Sequence, residues 1–459
     1  MRRALPIGWI LLLGLVAWAL VGRGLVNYDT LYSLAWGRDL AHGHLPDYDV
    51  SLAPTPHPLA TLLGAILTPL GAEGAIGATL VLAFVWLGAL GWVTYLLGEA
   101  WVNKAAGLLA AAIVLTRRPF LDFGARAYVD VPYLVLVLGA LLVETKRPRA
   151  GAPVLVLLGV AGLIRPEAWL FSAVYLAYLW HQGTRDPRLF ALAAAAPILW
   201  ALSDLIVTGD PLHSLTGTRD TAQRLDRITG LDEVPTTVPR RFGEILREPV
   251  LFGAAGGGLL TLAFIRRRVA LGAASGVVAL VAFSILATAG LPILGRYLLA
   301  PATILAIFAG AGAFGWAELP RSHPWRRRWA WFGLATLVAL VAFIPTQATR
   351  VDNLRNALTI QDRIQDDLHD TKLPCLPVTV PNHRPVPLLA LWLDTEPKRI
   401  QVAQEHEPQA GTYVIPASQR VAKDYILDPR DVDRSIPPPP ADFEPTAQND
   451  SWRAYARCR

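Results

Sequence analysis

Residues 5–32 read LPIGWILLLGLVAWALVGRGLVNYDTLY, and this stretch decides the fold class. Leu5–Val21 is an uncharged apolar run behind Arg2 and Arg3, which gives it the look of a secretory signal. No small-residue cleavage pattern follows it and many more apolar runs do, so it reads as a retained first membrane helix. Directly beyond it comes Asn27-Tyr28-Asp29-Thr30-Leu31-Tyr32, with an acid just outside the bilayer. The chain goes on through Gly43-His44-Leu45-Pro46-Asp47-Tyr48-Asp49 and Pro54-Thr55-Pro56-His57-Pro58-Leu59. A polar loop rich in His, Asp and Pro is poor material for an anchor and good material for a reaction site on the far membrane face.

Composition agrees. The 459 residues are 53% hydrophobic and only 17% charged, with mean hydropathy +0.38. A soluble chain carries about a quarter charged residues. The chain is therefore read as an integral membrane protein. Its net charge of +6 implies no nucleic-acid partner, because the basic excess lies in short loops between apolar runs.

A crossing helix needs about 20 apolar residues. The candidate spans, about eleven by this rule, are Leu5–Val21, Ile76–Leu97, Ala105–Leu115, Val129–Val143, Pro153–Leu163, Pro166–Trp180, Leu189–Val207, Val250–Ile265, Val269–Leu291, Tyr297–Trp316 and Trp329–Ile344. Pro153–Trp180 is divided in two at Arg165-Pro166-Glu167, since proline breaks a helix and a charged pair is costly in lipid. Basic loops at Lys104, Thr145–Arg149, Arg185–Arg188, Arg266–Arg268 and Arg326–Arg328 then all fall on the cytoplasmic side with the N-terminus. The expected layout is a multi-pass cell-membrane domain, residues 1–346, and an extracytoplasmic C-terminal domain, residues 347–459. Outer loops cover 23–75 and 203–249. Leu59–Leu70 is too short to cross and is expected to be re-entrant or interfacial. The tail mixes strand-like pieces (Pro377–Val380, Thr412–Ile415) with a helix-like one (Val351–His369), which predicts a small α/β domain. Cys375 and Cys458 are the chain's only cysteines; outside the cytoplasm they can pair, two free thiols being the alternative.

Several arginines depart from the positive-inside bias. Arg117, Arg118, Arg126, Arg165 and Arg296 all map to outer ends of spans. Each needs an acid, a lipid headgroup or a bound anion. Snorkelling to headgroups or pairing with Asp122 would account for Arg117 and Arg118, and a salt bridge to Glu167 for Arg165. Arg296 has no acid near it in sequence, which makes it a candidate phosphate ligand. Asp29 and Asp130 are the acids nearest the outer face. Each can cap a helix, Asp29 the one starting at Thr30, and each can serve as a catalytic acid or base. His42, His44 and His57 form a weak metal signal with no cysteine beside them, so no metal site is assigned. His57, at the start of a proline-led helix, suits an anionic group instead.

In order and sidedness these features resemble the GT-C glycosyltransferases, multi-spanning enzymes that use polyprenyl-phosphate-linked sugars and include the protein mannosyltransferases and aminoarabinose transferases. The motifs are Asp29-Thr30-Leu31-Tyr32, His44-Leu45-Pro46 through His57-Pro58-Leu59, Asp130-Val131-Pro132, Arg165-Pro166-Glu167 and Gly295-Arg296-Tyr297-Leu298. They cover most of the membrane region. The family often has Asp-Glu where this chain has Asp29-Thr30. The resemblance implies an inverting transfer of a sugar from a polyprenyl-phosphate donor to an acceptor hydroxyl of an envelope glycan, lipid or protein. Asp29 and Asp130 would be catalytic. Arg296, His57, Arg126 and Arg165 would hold the donor phosphate, and Tyr32, Asp47, Asp49 and Tyr297 the sugar or acceptor. It further implies that Asp29 and Arg296 share one outer cavity. It requires no cofactor and admits a divalent cation, Mg or Mn. Membrane lipids are the remaining partners. The rival expectations are a flippase for a lipid-linked saccharide and a non-catalytic envelope-assembly protein.

Overall fold

The structure, a computed structural model, describes residues 4–428 and 431–458. Arg2 and Arg3, the basic front of the first expected span, and Arg459 lie outside the described residues. The chain is a mostly helical, polytopic membrane protein with a small sheet near its C-terminus. All eleven apolar runs become helices. They are Ala4–Val21, Gly71–Trp101, Lys104–Thr116, Asp130–Lys146, Ala152–Gly162, Glu167–His181, Pro187–Thr208, Glu248–Phe264, Arg266–Thr288, Leu299–Phe314 and Pro324–Ala342. Among the described residues, four helical stretches are long and apolar enough to cross on their own: Pro58–Trp101, Pro187–Thr208, Arg266–Thr288 and Gly295–Glu318. Others are short because the backbone breaks. Arg118–Ala125 and Asp130–Lys146 meet at 113°, and Val234–Leu246 meets Glu248–Phe264 at 109°. Ala152–Gly162 and Glu167–His181 are separated at Arg165-Pro166, where the missing proline N–H ends the ladder.

Two compact units form. The first takes Met1–Gly22, Val81–Leu202 and Ile228–Leu354; the second takes Arg23–Leu80, Ser203–Arg227 and Arg355–Arg459. The whole 23–75 loop and residues 203–227 of the 203–249 loop thus belong to the same unit as residues 355–459 of the tail. Inside the first unit, Leu299–Phe314 is buried almost end to end. Small residues let backbones touch there. A Cβ on Gly257 would lie 2.0 Å from the Phe308 carbonyl oxygen, and one on Gly312 would lie 2.4 Å from that of Gly253. Lipid tails offer no hydrophobic drive between helices, so this close approach is what holds the helices together.

The second unit is built around helix Tyr28–Ala41. Asn27 caps it by accepting from the Asp29 and Thr30 amides. The helix therefore starts two residues earlier than expected, and Asp29 stands in its first turn instead of capping it. Residues Thr30–Asp39 are buried. On one side lies helix Pro58–Leu67, the expected re-entrant piece, which continues through a 3₁₀ turn at Thr68–Leu70 into Gly71–Trp101. On the other lies the tail. Buried Arg38 donates to the carbonyls of Ala390 and Thr395 at 2.7 and 2.6 Å and to Asp39 at 2.7 Å. That guanidinium caps the end of helix Val386–Trp392 and its turn, adding to the Thr395 amide bond that the Ala390 carbonyl already accepts at 3.0 Å.

The tail sheet has strands β1 Val378–Val380, β2 Gln401–Val402, β3 Gly411–Pro416, β4 Glu444–Gln448 and β5 Trp452–Arg457, in the order β2-β1-β3-β5-β4. β1 runs parallel to β2 and β3, and β5 antiparallel to β3 and β4. The two strand-like pieces read from sequence are β1 and β3. β4 and β5 were not anticipated, although Trp452, Ala454 and Ala456 alternate inward as a half-buried strand requires. Cys375 and Cys458 are joined by a disulfide with Cα atoms 5.8 Å apart.

Helix Tyr28–Ala41 crosses Pro58–Leu67 at a glycine contact. A Cβ on Gly37 would sit 2.4 Å from the Ala65 amide nitrogen. Gly37→Ala is therefore expected to destabilise by about 1–3 kcal/mol, despite the helix preference of alanine. Gly243→Ala, where nothing lies within 4 Å, should be neutral or stabilising. Thermal unfolding in detergent micelles compares the two.

Candidate active site

In the first unit four expected residues converge. Arg165, in the break between Ala152–Gly162 and Glu167–His181, is buried. It donates to the Asp130 carboxylate and twice to Glu167, from Nη2 at 2.6 Å and from Nε at 3.1 Å. The Tyr297 ring covers it, 4.1 Å from Cζ to the centroid. Asp130 is 2% exposed and opens its helix at the first helical position, with no side-chain cap bond. The capping role open to it in sequence is not the one it plays: its carboxylate turns to Arg165. Its other oxygen lies 4.0 Å from Arg296 Nη1. Arg296 thus has an acid close in space that sequence distance concealed. It rests over Tyr128, 5.1 Å to the centroid, and Tyr297, with 19% of its side chain exposed. Two guanidinia, Arg165 and Arg296, and two carboxylates, Asp130 and Glu167, make this cluster neutral in formal charge.

The remaining outer arginines divide. Arg126 donates to Asp122 one turn back, at 2.6 Å. Arg117 neither snorkels nor pairs with Asp122. It donates to Gln347 Oε1 at 2.8 Å and lies over Phe343, because the start of helix Ile344–His369 brings a neutral acceptor to it.

In the second unit Asp29 is half-buried in the first turn of its helix, where a carboxylate is favoured by the helix dipole. Tyr28 beside it donates to the Leu52 carbonyl at 3.0 Å and meets Tyr32 and His383 edge-on at 4.9 and 5.3 Å. Burial raises the phenol pKa of both Tyr28 and Tyr32, which keeps both protonated. Tyr32 is fully buried in the core with Trp36, Ile364 and Trp452; its ring packs within protein. Asp47 accepts from the Asp49 amide at 3.0 Å and lies 3.5 Å from Lys398, and Asp49 is exposed. His57 occupies the cap position of Pro58–Leu67, buried and without a cap bond. Among the described residues no group of three or more His, Cys, Asp or Glu is arranged to hold a metal ion.

Sequence reasoning missed the turn after β1, Asn382-His383-Arg384. Arg384 bonds Asp428 and Asp431 at 3.0 and 3.2 Å, and Arg227 joins Asp431 at 2.9 Å. Burial, with Arg384 and Arg227 adding repulsion, pushes the His383 pKa down to about 4. The available signal was positional: polar residues directly after a parallel strand mark the ligand-binding end of such sheets.

Two predictions follow from these partners. Arg165→Met strands two buried carboxylates and should cost about 3–5 kcal/mol, read by thermal unfolding, with Arg165→Lys failing to restore the fork. His383 stays neutral in the folded chain while an unfolded one gains a proton below its ordinary pKa. Stability should therefore fall as pH drops from about 6.5 towards about 4, by about 3 kcal/mol at most. His383→Gln should flatten that slope in unfolding measurements across pH.

No family model and no curated protein matches the sequence. Solved structures do match. ArnT from Cupriavidus metallidurans, crystallised with undecaprenyl phosphate, is 14% identical with a TM-score of 0.53, over 98% of each chain. The oligosaccharyltransferase AglB from Archaeoglobus fulgidus, solved with an inhibitory peptide and a dolichol-phosphate, is 12% identical with a TM-score of 0.54. That match covers 90% of this chain and 70% of AglB. At such identity the likeness is one of fold: this chain shares its fold with ArnT and with AglB.

Proposed function

We propose that the chain is a glycosyltransferase that moves a sugar from a polyprenyl-phosphate donor to an acceptor hydroxyl at the outer face of the cell membrane. The observation that carries this reading is the likeness of fold, over nearly the whole chain, to a protein crystallised with undecaprenyl phosphate. AglB with its dolichol-phosphate adds to it. Asp29 is the general base. Its carboxylate takes the proton of the acceptor hydroxyl, whose oxygen forms a bond to the anomeric carbon as the bond from that carbon to the phosphate oxygen breaks. A single displacement inverts the centre. Negative charge builds on the departing polyprenyl phosphate, and Arg296 is the guanidinium assigned to it. Charge-assisted bonds of this kind strengthen as the transition state forms. Asp130 and Glu167 fix Arg165, and Tyr297 and Asp130 orient Arg296. In this reading the N-terminus is cytoplasmic, the tail is extracytoplasmic and the acceptor is an envelope glycan, lipid or protein. The lipid phosphate supplies the leaving group, so no nucleotide sugar is needed.

Asp29→Asn should lower turnover by about 10²–10⁴-fold and leave donor binding intact. The assay uses vesicles given polyprenyl-phosphate-mannose, -arabinose or -glucose with cell-envelope acceptors, and reads sugar release. Full turnover by the variant would remove Asp29 as the base, and no sugar release by the parent from any of the three donors would remove the transferase reading and favour a flippase or scaffold.

A further inference from the structure

The second unit contains a pocket of about 280 Å³ between the 48–56 loop and helix His213–Arg224. Its walls are rich in hydroxyls. Thr55 and Thr218 meet oxygen to oxygen at 2.5 Å. Thr218 also bonds the Ser214 carbonyl at 2.6 Å, and Thr216 bonds the Leu212 carbonyl at 3.2 Å. Thr216 and Thr218 spend their protons on the helix backbone, so what these two turn outward are lone pairs. Asp49 and Asp220 add carboxylate acceptors, balanced in part by Arg224. Ser51 Oγ is buried and has no hydrogen-bond partner among the described residues. At one end the Tyr48 and His213 rings lie nearly parallel, 6.0 Å apart with 26° between planes.

This lining selects by chemistry. A phosphate brings only acceptors and meets like-charged walls. An acyl chain finds too little apolar surface. A polyhydroxylated ring brings several O–H donors to the acceptors and a C–H face to the aromatic end. The volume is at the lower limit of small-molecule pockets, about 300 Å³, which suits one sugar ring. The pocket also abuts the proposed base through a bond already described: the loop residue Leu52 is held by Tyr28, the neighbour of Asp29.

We propose that this pocket is a binding site for a single sugar ring, belonging either to the donor or to a glycan acceptor. The assignment of the ring as substrate rests on the transferase reading; ring binding itself does not, and is measured without turnover. Gly217 supplies the test. It lies on the pocket wall, and a Cβ there meets only His213, at 3.9 Å, so side chains are tolerated and an aromatic one fills the space.

The full-length protein in nanodiscs is titrated with free mannose, glucose, arabinose and N-acetylglucosamine, and binding is followed by saturation-transfer NMR. The expected result is saturable binding of at least one sugar, weakened about tenfold or more in Gly217→Phe. Gly217→Ala and Asp29→Asn should bind as the parent does, and all four proteins should unfold at the same temperature. Absence of saturable binding in the parent, or undiminished binding in Gly217→Phe, overturns the proposal. In the vesicle assay Gly217→Phe then raises KM for the acceptor alone or for the donor alone. Either result supports the site and names the source of the ring. Should the parent release no sugar from any donor while Gly217→Phe still loses sugar binding, the transferase reading fails and the pocket stands.

Discussion

Arg38 is a charge that apolar surroundings tolerate only when it is hydrogen-bonded, and the second unit is arranged so that each of its three nitrogens is. Its nitrogens reach Asp39 next to it and two carbonyls more than three hundred residues away. Removing such a group from water is unfavourable by several kcal/mol, and full hydrogen bonding is what makes the burial acceptable. The consequence is positional. The helix that carries Asp29 cannot shift against helix Val386–Trp392 without exposing those bonds, and the backbone contact at Gly37 fixes its other face. The carboxylate proposed as the base thus stands on an element held from both sides.

The first unit solves the same problem differently. Arg165 is met by two carboxylates and a tyrosine ring, all close to breaks in apolar helices. The breaks arise from proline and from the need to keep charge out of the apolar runs. They place short polar turns where long unbroken helices would leave only lipid-facing side chains. Arg296 joins this cluster through its long contact with Asp130, which orients it without neutralising it as tightly as Arg165 is neutralised.

The helices were legible in the sequence because hydropathy is a one-dimensional signal, and all eleven runs appear as helices. β1 and β3 were legible as short β-branched pieces. The start of the Asp29 helix was misjudged since Asn27 competes with Asp29 for the cap, and only the backbone geometry decides between them. Arg117 was misjudged for a different reason. Its partner Gln347 is distant in sequence, as is the Asp130 that lies near Arg296, and contacts across such separations leave no local trace. β5 was missed because charged Arg453 and Arg457 mask the inward alternation of Trp452, Ala454 and Ala456. The turn at Asn382-His383-Arg384 acquires meaning only when the parallel strand before it is known.

Strand β5 lies between β3 and β4, and Trp452 on it shares a core with Tyr32 and Trp36, its indole donating to the Ile364 carbonyl. During synthesis, residues 28–36 leave the ribosome some four hundred residues ahead of 452–457. The helix bearing Asp29 is thus inserted early yet lacks part of its interior until the last strand arrives. A prematurely terminated product would carry Asp29 on a helix whose interior lacks Trp452.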